Sequence, residues 1–256
     1  SIGVVKYPEN GTNVYDLLMK VDLAMYSAKR AGKNQYKIFN DEIAMKFEEK
    51  VQMEKKLRTA LENEDFFLVY QPIISAKTSK VEYFVALIRL KDKENNQVIL
   101  PNNFIPIAES SGIIIPLGKW VILEVINQLN NIIKLGIKPK PIAVNLSPHQ
   151  VRDKGLYEFL ENEIKKKNID PALIEIEITE NVLLENKTAN IEILQKIKSL
   201  GIKIALDDFG TGFSSLNYLN YLPVDKIKFD KSLKDRIVYH ENIKVMSGLI
   251  EFVHGF

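Results

Sequence analysis

The chain has 256 residues, with 35 basic and 33 acidic side chains, a formal net charge of +2 and no cysteine. That balance gives no electrostatic footprint for a nucleic acid polymer or an anionic membrane, and it excludes disulfides and thiolate metal sites. No apolar run reaches the roughly 18 residues of a membrane helix, and the N-terminus lacks the charged start and long apolar core of a signal peptide, a combination that fits a cytoplasmic protein.

The chain opens without Met on a strand-like run, "SIGVVKYPENG", and stops at "LIEFVHGF" within a helical pattern, so it reads as an excised part of a longer protein. Val14, Leu17, Leu18, Val21, Ala24, Met25 and Ala28 recur at helical spacing. They predict an amphipathic helix over 13–31, with Gly32 as its C-terminal cap. A second helix over 41–62 carries many charges on a thin apolar stripe and reads as a connector. "FFLVYQPI" (66–73) and "YFVALIRL" (83–90) are strands joined by about nine residues, too few for a parallel crossover, so they predict an antiparallel pair. Four short apolar runs follow, over 141–147, 173–180, 202–209 and 225–230. Helices are predicted at 103–109, 116–135, 156–167, 188–200 and 214–220. Alternating strands and helices predict a parallel sheet covered by helices. Apolar strands with polar residues gathered at their C-terminal ends favour a β/α barrel, whose sites lie at that face. Only six strands of such a barrel are visible, so about two are missing at the C-terminus. The first pair and the strand at 225–230 are then left with bare edges, which invite pairing with the N-terminal segment or a second copy, as in a homodimer.

The strand ends collect one kind of chemistry. Asn145 closes one strand, Glu177 and Glu180 the next, Asp207 and Asp208 the third, and Lys228 and Asp230 the fourth, with Gln71 near the end of the first. Taken singly, acids at strand ends are solvated caps. Four consecutive strands ending in such groups suit a hard cation such as Mg²⁺ or Mn²⁺. The adjacent aspartates could serve two ions if the chain leaves the regular pleat between them, an arrangement used in phosphodiester hydrolysis. Gly210 and Gly212 let the following loop turn sharply. Glu175 faces the same side as Glu177, and spacing alone does not separate their roles.

In order and spacing, "YQPI" (70–73), "FIPIAE" (104–109), "VNLSPHQ" (144–150), "EIEITEN" (175–181), "ALDDFGTGFSSLNYL" (205–219) and "LPVDKIKFDKS" (222–232) resemble the EAL domain family. The resemblance implies a modified (β/α)8 TIM-like barrel with an antiparallel first strand pair. It also implies Mg²⁺- or Mn²⁺-dependent hydrolysis of cyclic di-GMP (c-di-GMP) to pGpG, with Ca²⁺ supporting binding without turnover. By position, Asn145, Glu177 and Asp207 match metal ligands and Asp208 a ligand of the second ion. Lys228 matches the lysine beside the catalytic water, and Glu180 the glutamate that steadies the "DFGTG" loop. Gln71, Leu87 and Arg89 match ligand-contacting positions. Residues 1–40 resemble the tail of a GGDEF domain without its signature, and Lys29 and Lys33 there read as solvated helix charges. The implied division is a GGDEF remnant at 1–40, a connecting helix at 41–62 and a C-terminally incomplete EAL domain at 63–256.

One departure stands out. The motif that names the family is Glu-Ala-Leu followed by x-Arg, and this chain reads Val85-Ala86-Leu87-Ile88-Arg89. Glu82 is an odd number of residues away and faces the other side of the strand. Losing a carboxylate weakens a hard-cation site. The sequence therefore predicts a degenerate domain that binds c-di-GMP without cleaving it. Two alternatives remain: an active phosphodiesterase in the full-length protein, and an interaction module that binds neither metal nor nucleotide.

Overall fold

The computed structural model describes residues 1–183, 187–210, 221–232 and 243–255. The helix predicted at 214–220 and the glycine-rich loop from Thr211 lie outside the described residues. The chain forms two compact units, Ser1–Asn63 and Glu64–Phe256.

The first unit contains β1 (Ile2–Val4), α1 (Val14–Arg30), β2 (Tyr36–Ile38) and α2 (Asp41–Glu62). β1 and β2 pair in parallel. Both helices start on an asparagine cap: Asn13 accepts from the Tyr15 amide and Asn40 from the Ile43 amide, which satisfies donors that an N-terminus otherwise leaves unpaired. Tyr26 of α1 meets Phe47 of α2 edge to face at 6.3 Å.

The second unit runs β3 (Phe66–Ile74), β4 (Val81–Asp92), β5 (Gln97–Ile99), α3 (Pro101–Ser111), α4 (Ile114–Lys134), β6 (Ile142–Leu146), α5 (Pro148–Val151), α6 (Leu156–Lys167), β7 (Ile174–Thr179), α7 (Lys187–Ser199), β8 (Lys203–Phe209), β9 (Lys226–Phe229) and α8 (Ile243–His254). The sheet order is β3-β4-β6-β7-β8-β9, with β5 added to the end of β4. β3 and β4 are antiparallel, as their short link requires, and β4, β6, β7, β8 and β9 are mutually parallel. This is the α/β, TIM-barrel-like architecture expected from the sequence. β5 was not foreseen, since three residues after a polar turn carry little periodic signal.

The strands differ from the near-continuous apolar runs expected of them. They alternate. Ile142, Val144 and Leu146 of β6, Ile174, Ile176 and Ile178 of β7, and Ile204 and Leu206 of β8 face α4, α6 and α7. There they join Val125, Ile126, Leu129, Leu160, Leu194 and Ile197 in one buried core. Each such side chain contributes about 1.5–3 kcal/mol on full burial. The intervening residues Ala143, Asn145, Glu175, Glu177, Ala205 and Asp207 therefore lie on the opposite face. The helices make the aliphatic face obligatory, and that fixes the register which presents Glu175, Glu177 and Asp207 to the other side.

Candidate functional site

β6, β7, β8 and β9 set the site. In register, Asn145 lies beside Glu177, and Glu177 beside Ala205. One pleat further on, Thr179 lies beside Asp207. The Glu177 side chain is fully buried, and Lys228 Nζ lies 2.7 Å from its Oε2 and 2.8 Å from Asp207 Oδ2. Glu177 Oε1 has no hydrogen-bond partner among the described residues. Burial pushes the Glu177 carboxyl above its ordinary pKa, and Lys228 offsets only part of that rise. Burial works to lower the Lys228 ammonium, but its hydrogen bonds to Asp207 and Glu177 outweigh this and hold it above its ordinary value.

The two aspartates part company. Pairing of β8 with β9 slips between Leu206 and Phe209, and Asp208 adopts a left-handed φ of 55°. Such a bulge re-aims a side chain at a local conformational cost. Asp207 stays on the polar inner face, its Oδ1 accepting from the Asp208 amide at 3.0 Å. Asp208 is turned instead towards a cavity of about 740 Å³, which Asn145, Leu87 and Thr179 also line. Its carboxyl is raised by burial first, then by Asp207 and Asp230. Glu180 begins the 3-10 turn after β7, and its Oε1 accepts the Gly210 amide at 2.9 Å. It thereby ties the end of β7 to the start of the glycine-rich segment.

The predicted residues thus adjoin one another without forming one carboxylate cluster: Asn145 pairs with Glu177 in register, Lys228 links Glu177 to Asp207, and Asp208 lines the cavity with Asn145 and Leu87. Among the described residues no three acidic or imidazole side chains gather at metal-binding spacing. The physical reasons are local: the Lys228 ammonium stands between Glu177 and Asp207, and the bulge carries Asp208 away. The donors left are all hard oxygens, one of them a buried carboxylate oxygen without a partner, which suits a divalent cation. Gln71 is exposed opposite Val85. Arg89 Nη1 donates to the Ile88 carbonyl at 2.8 Å. Val85 is 5% exposed in an apolar patch with Tyr83 and Ala143. Sequence reasoning left Glu175 open and passed over Lys226. In the structure Lys226 Nζ lies 2.8 and 2.9 Å from the two Glu175 carboxylate oxygens. The matched alternation of "EIE" in β7 and "KIK" in β9 was the available signal.

Residues 54–256 match the EAL domain family. The chain belongs to the EAL domain family. It is 38% identical over 250 residues, 98% of its length, to the signaling protein YkoW of Bacillus subtilis, covering 31% of that protein. It is 37% identical over 231 residues, 90% of its length, to the cyclic di-GMP phosphodiesterase PdeR of Escherichia coli, covering 34% of it. The chain therefore spans about a third of the length of these curated relatives. In structure it is similar to the c-di-GMP complex of the PaMucR phosphodiesterase, with a TM-score of 0.73 and 31% identity over 80% of this chain and 83% of that one. The chain is thus an EAL domain whose relatives include a protein named a cyclic di-GMP phosphodiesterase. Among the described residues no helix is long and apolar enough to cross a membrane.

Proposed function

We propose that this EAL domain binds c-di-GMP at the C-terminal mouth of its sheet without appreciable hydrolysis, acting as a receptor or regulatory module. The observation that carries the reading is Val85. A buried valine among Tyr83 and Ala143 stands where the family-naming motif has a glutamate. It offers no lone pair to a cation. The remaining donors suit a weakened Mg²⁺ or Mn²⁺ site held by Asn145, Glu177 and Asp207, with Asp208 serving a second ion. When bound, such ions activate water and stabilise the leaving oxygen of a phosphodiester. The protein's own share is positional. Lys228 orients Glu177 and Asp207 and balances their charge, Glu180 fixes Gly210, and Gln71, Leu87 and Arg89 meet the nucleotide.

An active phosphodiesterase yielding pGpG in the full-length protein is the second reading. It is favoured by the intact Glu177, Asp207 and Lys228 assembly and by relatives such as PdeR. In either case we take residues 1–40 as a GGDEF remnant, 41–62 as a connecting helix and 63–256 as the EAL domain, working in the cytoplasm. A second copy of the chain would cover the outer edges of β3 and β9, which pair with no further strand among the described residues. Calorimetric titration of c-di-GMP with Ca²⁺, then with Mn²⁺, tests the receptor reading. Saturable binding that Ca²⁺ supports is expected. No heat of binding under either ion would leave an interaction module that recognises neither.

A further inference from the structure

The inner face of the sheet carries a second ionic layer beneath the first. Glu175 is 3% exposed, and its two carboxylate oxygens meet Lys226 Nζ at 2.8 and 2.9 Å. The same ammonium stands 3.5 Å from the centroid of the Tyr83 ring, well within the range of a cation–π contact. Tyr83 is itself buried against Val85 and Ala143. Its phenol is raised by burial first and then by the charges of Glu175, Glu177 and Asp207, which keeps the ring neutral.

These contacts reach unusually far across the sheet. Lys226 lies on β9, Glu175 on β7 and Tyr83 on β4, and none of these strands is a hydrogen-bonded neighbour of another. Among the described residues backbone pairing holds β9 only through β8, and that pairing is interrupted by the bulge between Leu206 and Phe209. One residue therefore spans the concave interior and ties the last strand of the path to the second. Lys228 follows two positions later on the same strand and the same face, with its ammonium between Glu177 and Asp207.

We propose that Lys226 is a positioning residue that clamps β9 to Glu175 and to the Tyr83 ring, and so sets Lys228 between Glu177 and Asp207. The proposal rests on the reading of the mouth as a c-di-GMP and divalent-cation site only for its functional consequence. The clamp itself is a statement about where Lys228 stands. Loss of an outer partner of a metal site typically costs about 10–100-fold in affinity, and a similar loss is expected here.

The experiment has two readouts on the whole 256-residue chain. The first is the ¹⁵N resonance of the Lys228 ammonium, identified by its disappearance in Lys228→Arg. A lysine held by two carboxylates exchanges its protons slowly enough to be seen. The second is c-di-GMP affinity in Ca²⁺, measured by calorimetry. Lys226→Met should broaden away the Lys228 signal and weaken binding at least tenfold. Lys226→Arg, which keeps both the charge and the ring contact, should restore both readouts to within about threefold. Tyr83→Leu should weaken both while leaving Glu175 paired. Should Lys226→Met fail to fold, Lys226→Arg and Tyr83→Leu carry the test. Joining Glu175→Gln to Lys226→Met separates a strut from a mere counter-ion, because recovery of both readouts in the double variant would show that only charge balance mattered and would overturn the proposal. An unchanged Lys228 signal in Lys226→Met or in Tyr83→Leu would overturn it as well. If the Lys228 signal follows Lys226 while the unmodified chain binds no c-di-GMP, the clamp stands and the reading of the mouth fails.

Discussion

Replacing Lys228 with methionine isolates the electrostatics at the centre of the site. The Glu177 side chain is fully buried, and Lys228 Nζ at 2.7 Å is its counter-ion. Removing one partner of a buried pair costs about 3–5 kcal/mol, because the other charge stays buried and uncompensated. Asp207 and Lys228 themselves keep some exposure, 21% and 23%, so the lower figure, about 3 kcal/mol, is the better expectation. At 2–4 °C per kcal/mol for a unit of this size, that is a fall in Tm of about 6–12 °C. The loss must depend on pH with a definite sign. Glu177 already has a raised carboxyl pKa through burial, and without Lys228 it rises further. A group whose folded pKa lies above its unfolded value imposes no penalty below the unfolded value, about 4.3. The penalty grows as pH rises through the folded value. Urea unfolding in EDTA at pH 5 and pH 8 should therefore show a smaller difference between Lys228→Met and the unmodified chain at pH 5. Adding Glu177→Gln should recover most of the loss at pH 8. A difference under 0.5 kcal/mol (an order-of-magnitude threshold, about the size of an exposed ion pair), or one that does not change with pH, would refute the reasoning.

The remaining predictions concern single contacts. Val85→Glu places a carboxylate beside Gln71 and Ala143. It should raise Mn²⁺ affinity about tenfold or more by calorimetry, while lowering metal-free stability, since a buried charge without a partner is costly. An unchanged affinity would place Val85 outside the metal's reach. Glu180→Ala removes the acceptor of the Gly210 amide. That amide should exchange with deuterium at least tenfold faster, consistent with about 1–3 kcal/mol for an orphaned partner, and unchanged protection would count against the tether. Gly118→Ala would set a Cβ 1.6 Å from Gln150 Nε2. Gln150 also caps the turn after β6 through the Ser147 amide. A loss of about 1–3 kcal/mol in urea unfolding is expected for such overpacking, and a neutral result would mean that Gln150 yields freely.

Much of this arrangement was legible in the chain. The short link between the first two strands required antiparallel pairing, and β3 and β4 pair that way. The helical spacing of the apolar residues placed α1 and α2 within a residue or two of their ends. Acids at consecutive strand ends did identify one face of the sheet, because a period of two leaves no freedom once the aliphatic set is buried under helices. What periodicity could not supply was the break in it. Nothing in "LDDF" fixes where pairing slips, yet the left-handed Asp208 decides that the two aspartates face different surroundings. Lys226 was missed for a related reason. Its partners lie on β7 and β4, 51 residues from Glu175, and the matched "EIE" and "KIK" alternation does not by itself say which strands meet across the sheet. Val85 was visible as a departure from a motif, but only the structure places it in an apolar patch with Tyr83.

The most direct test is chemical. The unmodified chain is incubated with c-di-GMP and Mn²⁺, and the nucleotides are separated by chromatography, with calorimetry on the same preparation confirming that c-di-GMP is bound. Binding with no accumulation of pGpG above a protein-free control is the predicted result. Formation of pGpG by the unmodified chain, abolished by Asp207→Asn, would contradict the account and show that a valine at position 85 is compatible with catalysis.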